Sequence, residues 1–370
     1  MKFPFKLSLP KIRIAPKSCL GVDIGTSLIK IVSLTKSRGA AKLENYGETS
    51  AQALYEKSFR TIEKNTLSLS SRDIAKAIKA IIAEANIQKR SAVFSIPDFS
   101  SFFTTFDVPS MTKKELPQAV QFAAPQYIPL PLSEVSLDWQ IIGGKMADRK
   151  GGTLKILLVA VPNDIINQYQ DIARISGLEL QGLEAEAFSL ARVVSQKKDE
   201  KDILAMLDIG AQSTNCSIIE KGILKLSRSF DFAGNELTQI LAKGLNIDYN
   251  KAEELKKKYG IIPSMSEQED DLQKVNKILL PTIDSIIIES KRILQDFTRM
   301  ENKRVDKIIL SGGTVVLPGF LEHFKSVVKE EVEIIDPFLN ILHSPLLEKL
   351  LKEIGPAYAI AVGAALRGLE

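Results

Sequence analysis

Histidine, cysteine and tryptophan are scarce in this 370-residue chain, with two, two and one copies. His323 and His343 have no second ligand at metal spacing, which removes support for a zinc site or a histidine-based triad and leaves them as surface or capping residues. Cys19 and Cys216 lie far apart, each beside an apolar strand-like run. They read as buried packing thiols of a reducing compartment, not as a disulfide framework. No apolar run reaches the roughly 20 residues that a membrane span needs; the stretch from Ile354 to Leu366 falls short. Charge of one sign is not in excess either. The formal net charge is +4, and no stripe of Lys and Arg interleaved with aromatics runs along the body, so nucleic acid is not an expected partner.

What is present is an ordinary globular balance, 45% hydrophobic and 25% charged, on a chain long enough for two cores. The opening MKFPFKLSLPKIRIAPKS carries Lys2, Lys6, Lys11, Arg13 and Lys17 and no acid. Its prolines break the apolar core a signal peptide requires, so a cytoplasmic chain is expected. The segment suits either a plain tail or peripheral contact with anionic lipid, Phe3, Phe5, Leu7 and Leu9 entering the interface.

Two stretches share one pattern. CLGVDIGTSLIKIVSL and LAMLDIGAQSTNCSII each run apolar strand, Asp-Ile-Gly, small polar turn, β-rich strand, which predicts two similar halves. Glycine lets a backbone approach an anion closely, while hydroxyls and exposed N–H groups donate to phosphate oxygens. Gly25, Thr26 and Ser27 supply this in the first copy; Gly210, Gln212, Ser213 and Thr214 supply it in the second. Two such turns facing each other hold a polyphosphate between the halves without a Walker lysine. Asp23 and Asp208, at the strand ends, suit the hydration shell of Mg²⁺, which keeps waters and takes few carboxylates. A single Asp-Ile-Gly is also an ordinary hairpin turn; two copies in register are a stronger signal. A third element, IILSGGTVVLPGFLEHF, runs strand, glycine turn, apolar link and helix. The bare backbone of Gly312 and Gly313 suits a flat base or ribose there, and the same stretch also reads as a plain strand-to-helix connection.

In this order the motifs resemble the superfamily of actins, sugar kinases and heat-shock chaperones, and LSGGTVVLPGF is similar to the adenosine motif of actins. The resemblance implies an α/β, actin-like (ribonuclease H-like duplicated) two-lobed ATPase fold with a small inserted α/β subdomain. It implies ATP or ADP with Mg²⁺ as cofactors, with Lys30 and Thr314 joining the nucleotide-binding residues. Glu186, in LEAEAFSLARVV, falls where the superfamily positions the attacking water; Glu184 lies two residues away, and a solvated helix carboxylate is the competing reading. FAGNELTQILAKGLNIDYNKAEELKKKYG resembles the base-side helices, with Gly234 and Asn235 opening one helix and Glu253, Glu254 and Lys257 near ribose or adenine. The plain alternative is a charged helix with i,i+4 pairs.

Between the first half and LKILLVAVP lies a proline-rich α/β segment expected to run strand, helix, loop, strand. Its Gln-Tyr-Ile-Pro followed by LPLSEVSLDW resembles the PilM family of type IV pilus assembly proteins, with the FtsA family as a relative. The expected layout is a basic tail over 1–18 and a first half over 19–92, 160–200 and 355–370. The insert is expected over 93–159 and the second half over 201–354. The family implies a cytoplasmic adaptor, peripheral at the inner membrane, that captures the N-terminal peptide of a PilN-like protein between the insert and the first half. Gln126, Tyr127 and Ile128 then line or brace that groove, or Tyr127 and Ile128 simply pack the insert. Other pilus platform proteins and self-association belong to the same expectation. Whether the chain hydrolyses ATP is left open. An FtsA-like polymerising division protein is the alternative, expected to add a linker and a C-terminal amphipathic helix that do not follow GPAYAIAVGAALRGLE. A sugar or acetate kinase needs a substrate pocket with a catalytic aspartate, for which no segment stands out.

Overall fold

The computed structural model describes residues 17–37, 39–51, 60–61, 66–67, 69–144, 152–195, 202–262 and 270–370. The tail expected over 1–18 lies outside the described residues as far as residue 16. The chain divides into two compact units. Unit 1 holds Met1–Arg192, Ile223–Ser227 and Ile360–Glu370; unit 2 holds Val193–Gly222 and Arg228–Ala359.

In unit 1, β1 (Ser18–Ile24), β2 (Leu28–Ser37) and β3 (Ala40–Ser50) form an antiparallel meander. A two-residue pairing of β4 (Arg60–Thr61) with β5 (Thr66–Leu67) follows, then helix α1 (Ser71–Glu84), started by the Ser70 side chain accepting from the Asp73 N–H. Strand β6 (Ser91–Ile96) runs parallel to β1, and β10 (Glu179–Ala185) runs parallel to β6, giving the order β10-β6-β1-β2-β3. Helix α3 (Asn163–Ser176) leads into β10 and ends at Gly177, whose φ of 73° is the left-handed conformation a glycine adopts without strain.

Register assigns the faces. Val22, Ile31 and Gly47 are successive cross-strand partners and so share one face, where a Cβ on Gly47 would meet Ile81 of α1 at 2.8 Å. Gly21 therefore faces the other way. A Cβ there would stand 1.8 Å from the Ala361 carbonyl oxygen, so the C-terminal helix lies directly on the β1 backbone and β1 is buried on both faces. Cys19 and Cys216 are both fully buried thiols, and burial pushes each up to about 12.

After β6 the chain builds the insert: β7 (Phe102–Pro109), α2 (Leu116–Ala123), β8 (Val135–Gly144) and β9 (Thr153–Pro162), with sheet order β7-β9-β8, all antiparallel. Its small core gathers Phe106, Val108, Leu116, Val120, Ile128 and Ile156. The expected insert boundary at 93 needs correction. Val93–Ile96 belong to β6, which has parallel partners on both sides in the unit 1 sheet, and the insert's own sheet continues to Pro162.

Unit 2 repeats the same plan. Strands β11 (Ile203–Ile209), β12 (Thr214–Glu220), β13 (Ile223–Phe230), β14 (Lys307–Ser311) and β15 (Glu331–Ile334) are ordered β13-β12-β11-β14-β15. Here β11 is antiparallel to β12 and parallel to β14, as β1 is antiparallel to β2 and parallel to β6. Helices α5 (Gly234–Leu245), α6 (Tyr249–Tyr259) and α7 (Asp270–Glu301) sit between β13 and β14, and α8 (Phe320–Val327) connects β14 to β15. The shared strand order makes the repeated Asp-Ile-Gly pattern a structural duplication.

Two further helices belong to the description: α4 (Glu186–Val194) follows β10, and α9 (Glu348–Arg367) ends the chain. Within unit 1 they are tied to β10 by a buried ion cluster. Arg192 grips Glu184 with two N–H groups, at 2.6 and 2.8 Å, and donates to Glu370 at 2.9 Å. Arg367 lies 3.3 Å from Glu184, and Ser189 donates to it at 2.8 Å. Burial alone would keep Glu184 protonated; the two guanidiniums outweigh it and hold the carboxyl below the ordinary carboxylate range. A carboxyl lowered on folding stabilises above its unfolded pKa, about 4.3, and loses that stabilisation as pH falls through the folded value. Glu184→Gln is therefore expected to cost about 3 to 5 kcal/mol at pH 7, because it strands buried guanidinium charge. Urea denaturation checks this: the difference from wild type should shrink below pH 4, and an equal loss at both pH values would contradict the charge argument.

Candidate functional site

The first glycine turn closes on itself. Gly25 N–H donates to the Leu28 carbonyl at 2.9 Å, and the flanking register pairs Asp23 with Lys30 and Ile24 with Ile29. Asp23 is buried, accepts from the Ser95 hydroxyl at 3.0 Å and stands 3.7 Å from the Lys30 ammonium. The residues expected to serve metal and phosphate here form a pair, with Thr26 buried and Ser27 half-buried at the turn. A carboxylate held at a strand end by a serine and a lysine suits an outer hydration shell, where it accepts from metal-bound water and does not bind the ion directly. Among the described residues, no three acidic, histidine or cysteine side chains gather into a direct metal cage.

The second turn repeats the closure, Gly210 N–H donating to the Ser213 carbonyl at 3.1 Å, with Asp208 paired to Asn215 and Ile209 to Thr214. Gln212 and Ser213 are half-buried at its tip. Thr214 is fully buried and its hydroxyl proton goes to the Phe232 carbonyl at 2.6 Å, which directs that side chain away from a phosphate.

Unit 2 brings two other predicted motifs onto this turn. The Gly210 carbonyl accepts from the Gly234 N–H at 3.0 Å and from the Thr314 hydroxyl at 3.1 Å, and the Ala211 carbonyl accepts from the Asn235 N–H at 2.6 Å. Gly312, at φ 95°, presses on the neighbouring strand, where a Cβ would meet the Ile209 carbonyl oxygen at 2.4 Å. A Cβ on Gly313 would meet nothing within 4 Å, and this residue is exposed. The bed thus has a fixed floor and one glycine facing open space, the shape a flat base requires.

Beside it, helix α6 turns a lysine inward. Lys256 is 6% exposed and donates to the Gly234 carbonyl at 3.0 Å and the Thr238 hydroxyl at 2.7 Å, while lying 2.6 Å from Glu253. Burial drives its ammonium down in pKa against the pull of Glu253, whose own carboxyl is disfavoured by burial but held low by Lys256 and Lys257. Lys257, named from the sequence, has a 70% exposed side chain that reaches Glu253 from outside at 3.1 Å. Lys256 is the member the sequence reading missed, and the signal was its i,i+4 spacing from the buried Ala252. Asn235 accepts from the Tyr249 hydroxyl at 3.1 Å.

In unit 1, Glu186 is the first residue of α4 and is buried. The helix start is held by Asp98, a buried residue just after β6 that accepts from the Ala187 N–H at 3.1 Å and the Ser227 hydroxyl at 2.9 Å. Asp98 was not singled out from the sequence, because the helix it caps, through the Ala187 N–H, lies 89 residues further on. In the insert, Gln126 is exposed and Tyr127 is half-exposed, stacked on Phe106 with centroids 4.7 Å apart. Ile128 is buried in the insert core, so it braces this segment from beneath. Both histidines cap neighbours, His323 facing Asp284 at 2.7 Å and His343 facing the Ile341 carbonyl and Glu348.

The fold and motifs have counterparts among known proteins. The family described as "Type IV pilus assembly protein PilM" matches residues 21–369. Cell division protein FtsA of Enterococcus faecalis is 20% identical over 365 residues, covering 90% of this chain and 81% of that protein. FtsA of Staphylococcus epidermidis is 23% identical over 223 residues, and the match spans 46% of its length, about half. A chain of a solved PilM-PilN type IV pilus biogenesis complex superposes with a TM-score of 0.83 at 24% identity, covering 96% of this chain and 100% of that one. MreB5 of Spiroplasma citri bound to AMPPNP superposes at 0.56 with 13% identity, covering 96% of each chain. The architecture is the actin-like ATPase fold, and with a match over nearly its whole length the chain belongs to the PilM family of type IV pilus assembly proteins.

Proposed function

We propose that this chain is a nucleotide-binding adaptor of the type IV pilus inner-membrane platform, cytoplasmic and peripheral to the membrane. It captures the cytoplasmic N-terminal peptide of a PilN-like protein. The observation that carries this reading is the likeness, over 96% of the chain, to the protein of a PilM-PilN complex, together with the family match. We assign the peptide to the junction of the insert with the rest of unit 1. There Gln126 and the half-exposed Tyr127 offer a polar and an aromatic contact on a segment that Ile128 anchors, the arrangement of a peptide-in-groove site.

ATP or ADP with Mg²⁺ is the assigned ligand, supported by the bed geometry and by the nucleotide bound in the MreB5 relatives. Bound nucleotide with Mg²⁺ supplies phosphate charge and a hydrated cation. In unit 1 the turn of Gly25, Thr26 and Ser27, and in unit 2 the turn of Gly210, Gln212 and Ser213, would each offer phosphate the turn's donors other than the Gly25 and Gly210 N–H groups, which close the turns, while Asp23 and Asp208 would each accept from metal-bound water. Gly313 takes the base against its backbone, Thr314 fixes the loop that carries it, and Glu253 with Lys256 sets the ribose side. Glu186 orients water where hydrolysis occurs, but adaptor function needs only different peptide affinity in two nucleotide states. The FtsA likeness over 90% of the chain supports a second reading, ATP-dependent polymerisation.

Calorimetric titration with a synthetic PilN-like N-terminal peptide, with and without Mg²⁺-ATP, is expected to give saturable one-to-one binding whose affinity differs between the two conditions. Absence of binding in both, with ATP-dependent sedimentation of filaments, would instead establish polymerisation. Asp23→Ala and Lys256→Met are each expected to weaken Mg²⁺-ATP binding at least tenfold, about 1.4 kcal/mol, with the circular dichroism spectrum unchanged. Wild-type nucleotide affinity in both variants, read by fluorescent-nucleotide titration, would remove these residues from the site.

A further inference from the structure

Strand β13 makes contacts that the adaptor reading does not use. Side chains alternate along a strand, so Lys225, Ser227 and Ser229 share one face of it, and all three are engaged in polar bonds. The Lys225 ammonium donates to the Ile142 carbonyl of the insert. Ile142 is the extra residue of a β-bulge in β8, where the pairing with β9 passes from Ile141 to Gly143, so its carbonyl can serve a partner outside the ladder. The Ser227 hydroxyl donates to the buried Asp98 at 2.9 Å, and the other oxygen of that carboxylate accepts from the Ala187 N–H at 3.1 Å, next to Glu186. The Ser229 hydroxyl donates to the Asn215 side chain at 2.6 Å, and Asn215 is the register partner of Asp208.

One strand face thus reaches the insert, the start of the helix that carries Glu186, and the residue paired with Asp208 beside the second glycine turn. Each contact lies within one unit, Lys225 and Ser227 in unit 1 and Ser229 in unit 2, while the strand itself runs through both. The three positions span about 13 Å of extended backbone. Such a backbone is close to its maximum length and has no slack to absorb a pull along its axis, so a displacement at Ser229 is carried to Lys225. Rigid elements joined by hydrogen bonds are the means by which coupling passes between sites.

We propose that the face of β13 formed by Lys225, Ser227 and Ser229 links the nucleotide state of the second glycine turn to the peptide affinity of the insert, with Lys225 as the contact through which the insert responds. A shift of Asp208 and Asn215 on nucleotide binding is passed to Ser229, and reaches Ile142 through Lys225 and the Glu186 helix through Ser227 and Asp98. The link rests on the nucleotide and peptide sites proposed above and adds the coupling between them, which is reciprocal for two binding equilibria.

The test reads that coupling in two ways in the full chain. Calorimetric titration with the PilN-like peptide, with and without Mg²⁺-ATP, gives a ratio of affinities expected at about tenfold. Hydrogen exchange of the β8 amides at 139–142, with no peptide present and with nucleotide binding verified by fluorescent-nucleotide titration, reads the response of the insert to Mg²⁺-ATP directly. Lys225→Met and Ser229→Ala are each expected to bring the ratio below about twofold and to abolish the exchange response, while peptide affinity without nucleotide stays within about twofold of wild type. Lys225→Arg restores a donor and should restore both readouts. Arg228→Gln, on the opposite face of the strand where Arg228 bonds Asp296, should change neither. A wild-type ratio with a wild-type exchange response in Lys225→Met would overturn the proposal. So would β8 exchange in the wild-type chain that ignores bound Mg²⁺-ATP. If the wild-type chain binds no peptide, peptide capture fails by itself and the exchange measurement alone decides the link.

Discussion

One carbonyl oxygen organises the glycine-lined bed of unit 2 that is proposed to take nucleotide. The Gly210 oxygen takes a backbone N–H from the start of α5 and a hydroxyl from Thr314, using both of its lone pairs. Three segments separated by about twenty to a hundred residues are thereby held on one atom. Side chains must stay out for this to work. A Cβ on Gly234 would stand 2.8 Å from the Thr314 hydroxyl, and one on Gly312 would overlap the Ile209 carbonyl. Lys256 completes the lock from the far side by donating to the Gly234 carbonyl, so the first residue of α5 is bonded at both its N–H and its C=O. A bed fixed by backbone bonds before ligand arrives loses little conformational freedom on binding, and affinity follows from that preorganisation.

The two units reuse one hairpin and alter its charge. Asp23 and Asp208 occupy the same position before their glycines, and each faces a serine on the parallel strand: Ser95 bonds Asp23 directly, and Ser311 is the register partner of Asp208. On the antiparallel side the match breaks. Asp23 meets Lys30, whereas Asp208 meets the neutral Asn215. The cross-strand cation in unit 1 balances its aspartate locally, while the cross-strand position in unit 2 supplies no positive charge.

What could be read from the sequence was local. Each Asp-Ile-Gly hairpin lies within about a dozen residues, and strand alternation and glycine mark its parts without reference to the rest of the chain. The actin-like class came from the resemblance of these pieces, in their order, to a known superfamily. Burial decided by distant partners was less legible. Glu184 and Glu186 look equivalent in LEAEAF, yet Glu184 closes a strand against Arg367, 183 residues away, while Glu186 opens a helix. Three consecutive lysines at 256–258 conceal which one turns inward, and the prior that lysine is exposed favours the wrong neighbour. The insert boundary slipped for the same reason, since the apolar run of β6 fits either sheet until its parallel partners are known.

Ion pairing commits two of the chain's carboxylates, Glu184 and Glu253, to structure. General base catalysis wants an acid-base group within reach of its proton and tuned toward the working pH. In the unit 2 bed, Glu253 is engaged by Lys256, Lys257 and Thr238, and its carboxyl is held low. Such a group orients a ligand well and takes up a proton poorly. Glu184 is committed to two arginines in the same way. These ion-paired carboxylates hold their helices and strands in place, which leaves Glu186 as the carboxylate on which the proposed orientation of water rests.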